Sequence, residues 1–242
     1  MAEPRLLNAA LLREFPLPDH PDDSDKEDRG RLIGHEETGE GCLAESAIEP
    51  LLGWAKEAQA MMIGCGLQHG PPLDRFLDAL LASDLDLPLV LDAAVLGSLA
   101  ERADALKRWK SDAILLPHPR EMARLLRCEI EEVTADPLAA ARRASERFGA
   151  VVVIKGAWSF IAAPDGRSLK FEGGGVGLAT SGSGDVLAGI VGGLAARGAD
   201  GLTAASWGVY LHGEAGRILT RKVGRIGFLA REISDLIPGL MN

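Results

Sequence analysis

Cysteine is scarce in this chain of 242 residues and carries no pattern: Cys42, Cys65 and Cys128 stand far apart, with no CxxC and no metal-ligand spacing. A disulfide scaffold, a dithiol redox site and a protein-built metal site are therefore not expected. No secretory signal is visible, so the expected setting is a reducing cytoplasm. The apolar stretches are too short and too interrupted to span a bilayer, so no membrane partner is expected. Basic runs are missing too, and a net charge of −9 argues against nucleic acid, whose phosphates call for a cationic stripe. Aromatic residues make up only 5%, so Ala, Leu, Val and Ile must build the core. Three familiar signatures are also lacking. There is no GxxxxGK[ST], no GxGxxG in a strand–turn–helix setting, and no GxSxG; Ser183 has no histidine partner that the sequence assigns to it.

Glycine, by contrast, is concentrated in one place. Residues 172–198 read EGGGVGLATSGSGDVLAGIVGGLAARG, with six glycines among the twelve residues 173–184. Such a run offers backbone N–H groups with no side chain to block close approach. Val186, Leu187, Ile190, Val191 and Leu194 then follow at helical spacing, so the run opens a helix whose dipole favours an anion at its start. Asp185 falls in the first turn. The pattern predicts a phosphate-cradling loop with an acid/base at its lip.

The rest of the chain alternates. A short helix is expected around 6–13, and residues 19–40, with nine acids against three bases, read as a solvated segment. An amphipathic helix over 43–58 follows, with Ile48, Leu51, Leu52 and Ala55 on one face. Short apolar runs at 60–64, 87–91, 112–116 and 151–155 read as strands, separated by helices over 73–81, 95–109, 121–128 and 137–148; Asp136 caps the last of these and Gly149 ends it. Ser159–Ala163 and Ser168–Phe171 form a hairpin around Pro164-Asp165-Gly166. Helices over 184–196, 203–221 and 228–237 complete the chain, the last closed by Pro238-Gly239. Buried strands alternating with helices predict one α/β domain over 1–242, a mostly parallel sheet covered on both faces, with an irregular or incomplete part at 1–45.

Ligands of such sheets lie beyond the carboxyl ends of the strands. Those ends carry Gly64-Cys65-Gly66, Asp92, His118 and Lys155-Gly156, and the glycine loop can close the same edge. Each also has a plainer reading. His118 sits between prolines and could be a rigid turn residue; Lys155 could snorkel to solvent; Asp92 could cap the next helix. Gly189, Gly192 and Gly193 read as close helix–sheet packing, and Cys65 as a small buried residue with nothing to lower its pKa.

Four ordered stretches, Leu116-Pro117-His118-Pro119-Arg120-Glu121, Val153-Ile154-Lys155-Gly156-Ala157, Ala179-Thr180-Ser181-Gly182-Ser183-Gly184-Asp185 and Gly208-Val209-Tyr210-Leu211-His212-Gly213, resemble those of the ADP/ATP-dependent NAD(P)H-hydrate dehydratases, a branch of the ribokinase-like fold. The resemblance runs from about Met61 to Met241, with a weaker echo in residues 5–31. It implies a three-layer αβα sandwich and a repair reaction, in which hydrated NADH or NADPH (NAD(P)HX) is dehydrated at the expense of ADP or ATP, with Mg²⁺ on the nucleotide phosphates. By position, Asp185 would be the base on the ring hydroxyl and would meet the substrate. Backbone N–H groups of Gly182, Ser183, Gly184 and Asp185 would hold the transferring phosphoryl. Lys155, Gly156, Ala157, Trp158, Ser159, Thr180 and Gly184 would line the nucleotide site, and Gly66 and His118 would contact the damaged cofactor. The oligomeric state is left open, a homo-oligomer included.

The chain departs from the family pattern in places. Cys65 stands for proline in a GPG turn, Leu116 for threonine, Arg120 for the glycine of PHPGE, and Gly175-Val176-Gly177 for NPG. A block of a few tens of residues that normally follows Gly30, with a strand, a glycine-rich turn and a long helix, is absent. Two other readings therefore stay open: a non-catalytic nucleotide-binding or assembly protein, and a small-molecule kinase of the same fold acting on a vitamin-precursor hydroxyl.

Overall fold

The computed structural model describes residues 3–18 and 43–241. The acidic stretch expected to be solvated, 19–40, lies outside these residues. Where a helix over 6–13 is expected, the chain instead forms strand β1 (Arg5–Leu6) and a single turn, α1 (Ala9–Leu12). Asn8 separates them because its side chain accepts the Leu11 N–H at 3.0 Å and so caps α1. The alternation then runs α2 (Ile48–Ala55), β2 (Met61–Ile63), α3 (Pro71–Leu81), β3 (Leu89–Leu91), α4 (Ala94–Leu99), α5 (Ala103–Lys107), β4 (Ala113–Leu115), α6 (Pro119–Leu126), α7 (Ile130–Ala135), α8 (Pro137–Phe148) and β5 (Val151–Ile154). The hairpin is β6 (Ser159–Ala162) and β7 (Ser168–Phe171), and the chain closes with α9 (Ser183–Ala196), α10 (Gly201–Lys222), α11 (Ala230–Ser234) and α12 (Ile237–Leu240).

Two expected helices are broken. The one over 95–109 is split into α4 and α5 because Arg102 turns back: its guanidinium donates to the Ser98 carbonyl at 2.7 Å, satisfying a C-terminal acceptor of α4, and to Asp78 of α3 at 2.7 Å. The one over 228–237 is split into α11 and α12. Pro238 does not close a helix but sits in the first turn of α12, where its missing N–H costs nothing. Helix α7 is not legible in the sequence; the Glu129–Glu132 capping box starts it and buried Val133 anchors it.

The sheet order is β1-β7-β6-β5-β4-β3-β2. Strands β2 to β5 are parallel, β5 to β7 antiparallel, and β1 is parallel to β7. Adjacent strand residues go to opposite faces, as the period-2 pleat requires. Leu89, Leu91, Leu115, Val152 and Ile154 join one core with α3, α4, α6 and α8. Val90, Ile114, Val151 and Val153 join the other with α1, α9 and α10. This is the mostly parallel three-layer sandwich that the alternation predicts.

Strand register aligns the carboxyl ends. Ile63 pairs with Leu91 and Leu91 with Leu115, so β2, β3 and β4 end on one line. Gly64, Asp92 and Leu116 are thereby brought side by side. The Lys155 N–H donates to the Pro117 carbonyl at 2.9 Å and ties the end of β5 to the same edge.

The glycines of α9 correct an expectation. Only Gly192 approaches the sheet, where a Cβ would lie 3.5 Å from Met62 Cβ; Gly189 and Gly193 face open space. Close packing belongs to Gly208 of α10, whose Cβ would overlap the Val191 side chain. Gly189→Ala and Gly193→Ala are therefore expected to stabilise the fold by about 0.5–1 kcal/mol each, through helix propensity alone. Denaturant unfolding reads this directly, and a loss of stability in either variant would show that these positions do contact a neighbour.

Candidate active site

Asp92, at the end of β3, is 1% exposed. Both its carboxylate oxygens accept from Lys155 Nζ, at 2.7 and 2.9 Å. The Asp92 reading as a helix cap is wrong: the N-cap of α4 is Ala93, with no side-chain cap bond. Solvent does not hold Lys155 either, since its ammonium is bound to a buried acid. Burial pushes the Asp92 pKa up, and the Lys155 charge and hydrogen bond work against that shift.

The pair lies under the glycine loop. Gly174, Gly175 and Gly182 take φ values of 97°, 90° and 84°, open to glycine at little cost. Gly182 is the N-cap of α9 and has no side chain to bond the first turn; the Ser183 N–H turns back to the Thr180 carbonyl, and those of Gly184 and Asp185 are left to solvent or a ligand. A Cβ on Gly184 would stand 3.4 Å from Lys155 Nζ and 3.9 Å from Asp92 Oδ2, which puts the ammonium directly against the start of the helix. Exposed Asp185 follows in the first turn.

Cys65, after β2, completes this cluster. Burial, a hydrogen bond to Asp185 and the charges of Asp92 and Asp185 push its thiol up to about 12, against the opposing Lys155. It stays a thiol at neutral pH and is no nucleophile.

Ser183 does have a histidine, contrary to expectation. His212 Nε2 lies 2.9 Å from Ser183 Oγ and 3.0 Å from the Ser183 carbonyl oxygen. The second contact requires the ring nitrogen to donate, so His212 ties down the first residue of α9 and does not activate the hydroxyl. The pairing follows from which face of α10 meets α9. Gly208 packs on Val191, and His212, four residues on, shares that helical face.

Burial holds the His212 imidazole down at about 4; its bond to the Ser183 carbonyl opposes this and the Lys155 charge adds to it. The unfolded chain takes up this proton below pH 6.5, whereas the folded chain refuses it until about pH 4. Stability is thus expected to fall by about 2 kcal/mol between pH 7 and pH 5 from this group alone. Denaturant unfolding of His212→Gln at the two pH values should lose that difference; an equal drop in both proteins would assign it elsewhere.

His118 serves as the N-cap of α6. Its Nδ1 accepts the N–H groups of Arg120 and Glu121 at 3.1 and 3.3 Å, and its own N–H donates to Glu121 Oε2 at 2.8 Å. The residue is exposed at the mouth of the strand-end edge. A cavity of about 370 Å³ opens beside it, lined by Gln68, His69, Ala94, Glu121 and Arg124 among others. Gly66 precedes that wall, exposed and at φ 74°. Gly156, Ala157 and Trp158 form the β5–β6 turn just beyond Lys155 and Ser159 opens β6, with the Lys170 ammonium 3.7 Å from the Trp158 ring centroid. Thr180 is half-buried before α9 and its carbonyl accepts the Ser183 N–H at 3.2 Å. The structure therefore joins Lys155, Gly184, Asp185 and Cys65 directly, adds Asp92 and His212, and places Gly66, His118 and the β5–β6 turn on flanking elements.

A family model described as NAD(P)H-hydrate dehydratase matches residues 31–239. The chain belongs to this family. It is 34% identical to the ADP-dependent (S)-NAD(P)H-hydrate dehydratase of Xanthomonas campestris pv. campestris, over 98% of this chain and 96% of the relative. That alignment runs over 287 positions, more than the 242 residues here, so the relative has internal stretches that this chain lacks. This is in keeping with the absent block. Among solved structures, the chain is similar to the ADP/ATP-dependent NAD(P)H-hydrate dehydratase from Bacillus subtilis, co-crystallised with ATP and Mg²⁺ and soaked with CoA; the TM-score is 0.67 at 28% identity, covering 83% of this chain and 82% of that one. A ribokinase-like superfamily protein from Enterococcus faecalis matches with a TM-score of 0.70 at 26% identity, over 81% of this chain and 67% of that one. The family's fold is thus ribokinase-like, as the motif order implies. Asp92 and His212 are the site residues that sequence reasoning did not assign.

Proposed function

We propose that this chain uses ADP, with ATP as the alternative donor, to dehydrate NAD(P)HX back to NAD(P)H. The observation that carries this reading is Asp185 in the first turn of an uncapped helix, next in sequence to Gly184, whose Cβ site is 3.4 Å from the Lys155 ammonium, in a chain of this family. The terminal phosphoryl would rest on the N–H groups of Gly182, Gly184 and Asp185, with that of Ser183 joining them on release from the Thr180 carbonyl, where charge develops during transfer. Asp185 would accept the proton of the ring hydroxyl as its oxygen bonds to phosphorus and the bond to the nucleotide breaks. The ring nitrogen lone pair then expels the phosphate from carbon, and loss of a proton from the neighbouring carbon restores the ring double bond.

Lys155, Gly156 to Ser159 and Thr180 would line the nucleotide, and Gly66 and His118 the damaged ring. Among the described residues no group of three or more His, Cys, Asp or Glu could cage a metal. Mg²⁺ fits as an ion carried on the nucleotide phosphates and water, its usual mode, where it would neutralise the phosphate charge. No described helix is long and apolar enough to cross a membrane.

Incubation with NADHX or NADPHX, Mg²⁺ and each nucleotide should restore the absorbance of the reduced nicotinamide and release free phosphate. Accumulation of a phosphorylated alcohol from a substrate panel would instead mark a kinase. Nucleotide binding without turnover would mark a binding or assembly protein.

A further inference from the structure

We propose that Asp92 is a positioning residue for phosphoryl transfer: it fixes the Lys155 ammonium beneath the first turn of α9 so that its remaining N–H faces the phosphoryl group. This inference rests on the reaction proposed above and gives a role to a residue that the reaction itself leaves idle.

The geometry is specific. Two of the three ammonium protons are spent on the two Asp92 oxygens, at 2.7 and 2.9 Å, so the direction of the third is set. The Asp92 side chain is 2% exposed and that of Lys155 20%, so the pair is sealed on the acid's side and open on the ammonium's. The open side is where Gly184 begins the helix; any larger residue there would fill the space between the ammonium and the loop. The acid is itself held firmly. Its Oδ1 also accepts the Ala93 N–H at 2.8 Å, and Ala93 takes φ 51° and ψ −123°, a conformation a non-glycine residue adopts at a cost of roughly 1–3 kcal/mol. The carbonyl of Asp92 is packed so closely on Gly64 that a Cβ would overlap it.

A purely structural ion pair would gain little here. Burying both charges costs about what their attraction returns, and an apolar pair would serve the core as well. The other ion pairs among the described residues have acids with side chains 16–107% exposed, so Asp92 stands apart. Of the surrounding groups, the Glu121 charge acts on Asp92, while the Lys155 charge acts in turn on Cys65 and His212.

The test is a double-mutant cycle in the hydrate-repair assay with ADP. Asp92→Asn is expected to lower kcat roughly 10- to 100-fold, with the KM for ADP changed by less than about threefold. Lys155→Met should cost at least as much. In the Lys155→Met background, adding Asp92→Asn should cost nothing further, because the group it positions has gone. An unchanged kcat in Asp92→Asn, or the same loss in both backgrounds, would overturn the inference and leave a structural ion pair. If Asp92→Asn alone fails to fold, Lys155→Met with and without Asp92→Asn buries no unpaired ammonium and still decides it: equal kcat supports positioning, and a slower double variant refutes it. An inactive wild type would overturn the proposed reaction and this inference together, whereas an active wild type with an indifferent Asp92 overturns the inference alone.

Discussion

Asp185→Asn is expected to lower kcat by roughly 10³-fold, the scale of a lost general base, while ADP binding by calorimetry stays within about threefold of wild type. The two effects separate because the phosphate cradle is backbone. Gly182 caps α9 with no side chain, so the anion site persists when the carboxylate becomes an amide of the same shape. What disappears is the acceptor for the hydroxyl proton. The exposed position of Asp185 means that its replacement leaves no buried group unpaired, so the melting temperature should barely move. A variant that loses ADP affinity in step with kcat would make Asp185 a nucleotide contact. Cys65 supplies an internal check: with the Asp185 charge gone, a thiol pushed up to about 12 should titrate lower and react faster with an alkylating agent.

How far the sequence reaches depends on whether the controlling contact is local. Strand β5 is four apolar residues in a row, and α8 has its cap, its proline and its glycine in the expected places, so both can be read from a few neighbours. The β6–β7 hairpin follows from Pro164-Asp165-Gly166 for the same reason. Strand β1 cannot be read this way: two residues become a strand only because β7, more than 160 positions later, offers them a partner. The break between α4 and α5 is equally hidden. An apolar pattern continues through it, and only the salt bridges of Arg102 to Asp74 and Asp78 reveal the turn. In the site, the glycine loop and Asp185 announce themselves because they are contiguous. Asp92 and Lys155 are 63 residues apart, and each alone has an ordinary explanation. His212 lies 29 residues from Ser183, and recognising the pair requires knowing which face of α10 meets α9. The strand-end rule gathers such residues to one edge but cannot say which of them touch.

Gly64→Ala and Gly66→Ala should differ sharply although they flank the same cysteine. At Gly64 the φ of 120° is one that alanine adopts only under strain, and the new Cβ would overlap the Asp92 carbonyl oxygen and lie 3.1 Å from Val95 Cγ1. Neither neighbour can yield. The carbonyl belongs to the residue whose N–H donates to Ile63 O at 3.1 Å, and Val95 is fully buried. A cost of roughly 3–5 kcal/mol is expected, and for a chain of this length that is a fall in Tm of about 10 °C or more. Any folded fraction should also be slow, because parting β2 from β3 shifts Asp92 and the ammonium it holds. Gly66 has a φ of 74° and nothing within 4 Å of its Cβ site, so the strain alone applies, roughly 1 kcal/mol. Its methyl group would instead project into the space assigned to the damaged ring. The expected result is a stable protein with a raised KM for NAD(P)HX and an unchanged affinity for ADP. An unaltered KM in a folded Gly66→Ala protein would move the substrate away from this turn, whereas a collapse of Gly64→Ala would remain a statement about packing. The pair separates what the strand-end edge needs in order to exist from what it needs in order to bind.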